Sequence, residues 1–258
     1  MSATLPDWDP EQYLRFADER LRPAIDLAAR IVHPHPKRVV DLGCGTGSAL
    51  ALLSARFPGV ELVGVDSSPV MLDKARSAGA KTVLADIAKW SPPKPVDVIF
   101  SNAALHWIAD HAALFPKLLA CLTPGGILAV QMPAMYNEPV RTLQAAAAAS
   151  GPWSAQLAGG ASAPPILEPE VYYDLLSARA ASIEIWITRY LHVLRGEDPV
   201  VQWAMGTSLR PYLDALSPSD RPGFLAAYSA LLQPHYPRRA DGSVLLPFRR
   251  LFLLLKKK

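Results

Sequence analysis

The sequence predicts an α/β fold: a mostly parallel, seven-stranded sheet flanked by helices, with a helical cap. Short β-branched runs alternate with helix-length apolar segments through the first half of the chain, and the first run ends in a glycine-rich turn. Two late strands enclose a group of proline-broken helices. With 258 residues, the chain can bury one sizeable core, so a single domain over 1–258 is expected. Its parts are an N-terminal helical segment (1–33), a cofactor-binding core (34–132), an insertion or lid (133–181), and edge strands (182–258) with the cap at 199–236.

Each element has a local reason. From Pro10 to Val32, residues Tyr13, Leu14, Phe16, Ala17, Leu21, Ile25, Leu27, Ala28 and Ile31 follow helical spacing, with a break expected near Pro23. The run Arg38-Val39-Val40-Asp41-Leu42 ends in glycines and is followed by the helical stretch Ala49 to Phe57. Strand and helix alternate again in Glu61 to Val65, Pro69 to Ser77, and Lys81 to Ala85. Val96 to Phe100 precedes a helix from His111 to Cys121, and Gly126 to Met132 follows a turn at Thr123-Pro124-Gly125. Strands separated by helix-length segments imply βαβ units and parallel pairing. Beyond Met132, Leu143 to Ser150 is an alanine-rich helix and Gly151 to Pro165 reads as a flexible loop or lid. Ser182 to Tyr190 and Leu245 to Leu255 are strands at the sheet's far edge, and Pro199 to Leu232 reads as helices broken at Pro211 and Pro218.

Composition narrows the function classes. Hydrophobic residues make up 50% and charged residues 19%, and no apolar run approaches the roughly 20 residues of a spanning helix, so no membrane partner is expected. The acidic, proline-containing stretch Met1 to Glu11 lacks the basic start and apolar run of a secretory signal, which points to the cytoplasm. Two cysteines, Cys44 and Cys121, supply neither a disulfide framework nor a four-cysteine zinc site, and no metal is expected. The net charge of +3 is small, and the basic residues are scattered apart from Arg238-Arg239, Arg249-Arg250 and the terminal lysines. Nucleic acid would need a broader basic surface. Arginine outnumbers lysine, which suits a small carboxylate ligand, whereas nothing in the sequence specifies an oligomeric state.

Glycines 43, 45 and 47 let the backbone turn sharply beside a ligand. Taken alone the turn fits a methyltransferase, a dehydrogenase or a structural turn, but dinucleotide sites favour G-x-G-x-x-G and here the spacing is G-x-G-x-G behind Asp41. Asp66 and Asp86 end the next two strands, so three carboxylates line the carboxyl edge of a parallel sheet, where ligands bind. Asp66 suits ribose hydroxyls and Asp86 an adenine amino group, with Ile87 and Met71 against the ring. Ser67, Ser68 and Asp86 can alternatively cap the following helices.

The segments Val39 to Gly47, Val63 to Met71, Ala85 to Ile87 and Asp97 to Asn102 resemble the successive motifs of Rossmann-like class I methyltransferases. Tyr13 to Arg20, Ser101 to Trp107, Ala129 to Pro133, Gly206 to Pro211 and Leu246 to Phe252 look like the trans-aconitate 2-methyltransferase family, a resemblance that covers nearly the whole chain. It implies S-adenosyl-L-methionine as cofactor, held by Asp41, Gly43, Cys44, Gly45, Gly47, Asp66, Ser67, Met71, Asp86, Ile87 and Asn102. The implied reaction is carboxyl O-methylation, giving a monomethyl ester of trans-aconitate or a related tricarboxylate. Another small acid as substrate, or a non-catalytic cofactor-binding regulator, are the alternatives. Glutamine is frequent in that family where His106 stands here.

A carboxylate with a pKa near 4 is ionised at neutral pH and needs no general base, so none is assigned. Its charges call for arginine. The substrate candidates are Arg20 and Arg22, Arg210, and Arg249 or Arg250, with Arg20, Arg210 and Arg249 preferred. Tyr13 and Tyr136 add hydroxyls, and His106 and Trp107 form either pocket walls or helix-start packing.

Overall fold

The structure is a computed structural model that describes residues 17–158 and 166–258, with side chains from residue 21 onward. Its elements run α1 (Ala17–Ala29), β1 (Arg38–Leu42), α2 (Ser48–Arg56), β2 (Glu61–Asp66), α3 (Pro69–Ser77), β3 (Thr82–Leu84) and β4 (Val96–Asn102). A 3-10 turn (Leu105–Trp107) leads to α4 (His111–Ala120), β5 (Leu122–Pro133), α5 (Pro139–Ala149), α6 (Ser154–Leu157), α7 (Pro169–Leu176) and β6 (Ala180–Leu194). Helices α8 (Pro199–Met205), α9 (Arg210–Ala215) and α10 (Arg221–Leu232) precede β7 (Val244–Lys257).

The strands form a seven-stranded sheet in the order β3-β2-β1-β4-β5-β7-β6. Pairing is parallel from β3 to β5 and antiparallel between β5 and β7. Val39, Val40, Leu42, Val98, Ile99, Phe100, Leu128, Ala129 and Val130 are all buried, as expected for central parallel strands covered on both faces. The strand order reverses between β1 and β4, the position at which an open α/β sheet leaves a crevice beyond its carboxyl ends. The two late strands lie at the far edge, as their order in the chain suggested.

Four local expectations change. Helix α1 runs through Pro23 without a break, because Ala24, Leu27 and Ala28 are buried and α1 packs on α2 and β5; this packing outweighs the proline's cost of about 3 kcal/mol. The turn at Thr123-Pro124-Gly125 lies inside β5, where Gly125 takes φ +76° and the register against β4 shifts. Within the segment read as a flexible loop, Trp153 is buried and its indole N–H donates to Ala147 O at 2.9 Å. Helix α7 was not foreseen; it starts at Pro169 and buries Tyr172 and Leu176.

The described chain divides into two compact units. Residues 17–133, 166–188 and 250–258 make the α/β unit. Residues 134–158 and 189–249 make a second, mainly helical unit whose core includes Trp153, Trp203, Tyr212, Phe224, Tyr228 and Leu246. Inside it, Trp153 meets Phe224 edge-on at 6.1 Å, and the Tyr228 hydroxyl donates to Val140 O at 2.7 Å. Among the described residues, no helix is long and apolar enough to cross a membrane.

Candidate active site

The loop after β1 is held by its own backbone. Gly43 N and Cys44 N both donate to Val65 O at 2.7 and 3.1 Å, and Gly47 N donates to Cys44 O at 2.9 Å. These amides are engaged within the protein, so the loop's contribution is its shape. Gly43 sits at φ +75°, and a Cβ there would fall 2.1 Å from Ala104 Cβ, so only glycine lets the loop close on the segment after β4. A Cβ on Gly45 would meet nothing within 4 Å among the described residues. Cys44 packs its side chain inward with Leu50 and Leu72, and burial pushes its thiol pKa up. Gly64 was not singled out from the sequence; a Cβ there would fall 2.6 Å from Cys44 Sγ.

The three acids have different surroundings. Asp41 is 1% exposed, and its Oδ2 has no hydrogen-bond partner among the described residues. Burial, reinforced by the nearby Asp66 charge, raises its pKa to about 8. Asp66 accepts from Gly45 N and from Ser68 N, both at 2.9 Å, and so ties the glycine loop to the start of α3. Ser68 is the cap of α3, its hydroxyl accepting from Met71 N at 3.4 Å, while Ser67 is exposed beside it. Asp86 accepts from Ala88 N at 2.9 Å and has Lys89 Nζ at 3.7 Å, so it serves its own turn whatever else it binds. Met71 and Ile87 are buried below this edge, and the Ile87 Cδ1 methyl lies 3.4 Å from the Cβ position of Gly43.

Register extends the crevice across the sheet. Asp41 pairs with Phe100, Asn102 with Gln131, and Pro133 with Arg250. Side chains two residues apart on a strand share a face, so Asp41, Asn102, Gln131 and Arg250 stand in one row at the carboxyl edge. Gln131 is fully buried and Arg250 is 3% exposed. Arg250 Nη1 donates to Gln131 Oε1 at 3.2 Å, while Gln131 Nε2 and Asn102 Oδ1 are buried atoms with no partner among the described residues. Ser101, also buried, donates to Leu42 O at 2.7 Å and locks β4 to the start of the glycine loop.

His106 and Trp107 lie in the 3-10 turn directly after this row, with ring centroids 4.8 Å apart. His111 fixes that turn. Its Nε2 lies 2.9 Å from Leu105 O, and since a carbonyl only accepts, Nε2 carries the proton and Nδ1 takes the Tyr172 hydroxyl. Burial lowers the His111 pKa, consistent with a neutral ring. His111 and Tyr172 lie 61 residues apart, and no local pattern announces their contact.

The remaining substrate candidates scatter. Tyr13 lies outside the described residues, and Arg20 is placed on α1 by its backbone alone. Arg22 lies on the same helix. In the helical unit, Tyr136 has the Arg141 guanidinium 5.9 Å over its ring. Arg210, at the start of α9, pairs with Asp214 at 3.2 Å. Arg249 is half-buried, and its backbone N–H meets Met135 Sδ at 3.1 Å.

The description of the family model that matches residues 13–157 is a methyltransferase domain. A trans-aconitate 2-methyltransferase of Methylobacterium radiotolerans is 46% identical over 258 residues, covering 98% of this chain and 99% of the relative. The trans-aconitate 2-methyltransferase of an Azoarcus species is 48% identical over 252 residues, covering 97% of this chain and 99% of its own. Among solved structures, Haemonchus contortus phosphoethanolamine N-methyltransferase 2 in complex with S-adenosyl-L-methionine aligns with TM-score 0.57 at 16% identity, over 96% of this chain and 56% of that one. At that identity the likeness concerns the fold.

Proposed function

The chain belongs to the trans-aconitate 2-methyltransferase family, and we propose that it methylates one carboxylate of trans-aconitate or a closely related tricarboxylate, using S-adenosyl-L-methionine. The observation that carries this reading is similarity at 46–48% identity over essentially the full length of relatives with that name, cap segments included. We place the reaction in the cytoplasm, on a small acid and without a nucleic-acid partner.

The α/β unit suits the cofactor. A buried carboxyl oxygen on Asp41 and a buried amide oxygen on Asn102 both await donors, and a Cβ on Gly45 would meet nothing within 4 Å among the described residues. Asp41 and Asn102 would accept from the amino-acid end, Asp66 would keep lone pairs for ribose hydroxyls beyond its two backbone bonds, and Met71 and Ile87 would supply apolar contact for the base. Gly43, Gly45 and Gly47 would shape the approach while Cys44 packs beneath, and Ser67 and Asp86 would act at the adenosine end. S-adenosyl-L-methionine supplies a methyl group on a sulfonium: a carboxylate oxygen forms the C–O bond as the C–S bond breaks, sulfur keeps the electron pair, and no proton moves.

The protein's work is therefore alignment, charge matching and exclusion of water. His106 and Trp107 would wall the reacting centre, and Arg249 would pair with substrate charge. Arg210, already paired with Asp214, is a weaker candidate than the sequence suggested. Purified protein incubated with S-adenosyl-L-methionine and a panel of di- and tricarboxylates should yield a monomethyl ester by mass spectrometry, with trans-aconitate the best acceptor. Cofactor binding without ester from any acid would instead favour a regulator.

A further inference from the structure

We propose that Arg250 and Gln131 together form the receptor for one carboxylate of the acid substrate, and so set its specificity; this rests on the carboxyl-methylation reading above. A guanidinium has no acceptor, so the Gln131 amide must turn its oxygen toward Arg250 Nη1, at 3.2 Å. This fixes the amide's orientation and leaves Nε2, on a residue with no solvent exposure, as a buried donor without an acceptor among the described residues. A native protein rarely leaves such a group unmet unless a ligand meets it.

The chemistry of the missing partner follows. Arg250 and Gln131 Nε2 can only donate, and a planar fork beside an amide N–H matches the two oxygens of a carboxylate. The row also has a direction. At its β1–β4 end, Asp41 Oδ2 and Asn102 Oδ1 need donors, whereas at its β5–β7 end Gln131 Nε2 is an unmet donor among the described residues, beside the Arg250 guanidinium. A cationic group therefore suits one end and an anion the other, which separates the cofactor's ammonium from the acid's carboxylate along one sheet edge. Arg250 is buried by strand register, since it pairs with Pro133 at the last position of the β5–β7 ladder, and its sequence neighbour Arg249 points to the opposite face.

The test is calorimetric titration of trans-aconitate into the full chain saturated with S-adenosylhomocysteine, for wild type, Arg250→Lys, Arg250→Met and Gln131→Leu. Retention of S-adenosylhomocysteine within about threefold of wild-type affinity checks that each variant is folded and that the cofactor end is intact. The proposal expects trans-aconitate to weaken about 30-fold or more with Arg250→Met and about 10-fold with Gln131→Leu, Arg250→Lys falling between wild type and Arg250→Met. Unchanged acid affinity in Gln131→Leu and Arg250→Lys would overturn it, leaving the methylation reading intact. An equal loss of S-adenosylhomocysteine affinity would assign the pair to the cofactor and overturn it as well. Wild-type protein that binds no di- or tricarboxylate would remove both the proposal and the reading beneath it.

Discussion

The two ends of the carboxyl edge are built differently. At the β1–β2 end, the groups that shape the crevice lie close together in the chain: Asp41, the turn from Gly43 to Gly47, and Asp66, whose two oxygens bind Gly45 N and Ser68 N. At the β4–β5–β7 end, Asn102, Gln131 and Arg250 become neighbours only through strand register. Apart from Asp41 Oδ2, the first end is internally bonded, while at the second Asn102 Oδ1 and Gln131 Nε2 are buried with no partner among the described residues. Shape is thus set locally at the first end, and the donors and acceptors presented at the second are set by topology.

The largest effect should come from breaking the local end at its tightest point. Gly43→Ala puts a methyl group 2.1 Å from Ala104 Cβ at a backbone φ of +75°. Left-handed strain and overpacking together should cost about 2–5 kcal/mol, lowering the melting temperature by several degrees and abolishing cofactor binding. A variant with wild-type melting temperature and cofactor affinity would show that the loop does not close on β4 as described.

Asp66→Ala should come next. It removes a charged acceptor that also bridges Gly45 and Ser68, so cofactor binding should weaken about 10- to 150-fold, for a loss of about 1.5–3 kcal/mol. Asp66→Asn, which keeps one carbonyl acceptor, should recover part of the loss in the same titration; failure to recover any would mean that charge matters more than loop geometry.

Asp41 sharpens the comparison through pH. Its folded-state pKa stands at about 8, against 3.8 for the free side chain, so the folded protein holds the proton more tightly than the unfolded chain. The ligand-free protein therefore pays a growing ionisation penalty, losing stability as pH rises from about 4 toward 8. Asp41→Asn lacks that loss. Melts at pH 5 and pH 8 should show the variant gaining on wild type by at least about 1 kcal/mol, roughly 2–4 °C, while its cofactor affinity falls. Parallel behaviour at the two pH values would contradict the burial of an unpartnered carboxyl.

His106→Gln should have the smallest effect. With a carboxylate as its own nucleophile, kcat should stay within about threefold of wild type. A loss of turnover with both ligands still bound would give His106 an orienting or proton-handling role that the account does not include.

The same contrast explains how much was legible from sequence. The strands of the first half were visible as β-branched runs, and β6 and β7, on either side of the cap helices, lie at the far edge as expected. The glycine loop, Asp66 at the end of β2 and Asp86 just past β3 were visible because their spacing is local. Four features were not. The continuity of α1 through Pro23 depends on tertiary burial, and α7 is short, with its two buried residues, Tyr172 and Leu176, one helical turn apart. His111 acts through Leu105 O and the Tyr172 hydroxyl, and the choice between Arg249 and Arg250 depends on strand register. Nothing local tells which of two adjacent arginines on an alternating strand faces inward; register buries Arg250 and leaves Arg249 half-buried.

The most direct measurement of the central claim is single-turnover methyl transfer to trans-aconitate at saturating S-adenosyl-L-methionine from pH 6 to pH 9. One monomethyl ester is expected, formed at a rate that stays level across this range, because the acid is ionised throughout and no enzyme base is used. A rate that rises or falls tenfold with an apparent pKa inside the range, or methyl transfer to an atom other than a carboxylate oxygen, would contradict it.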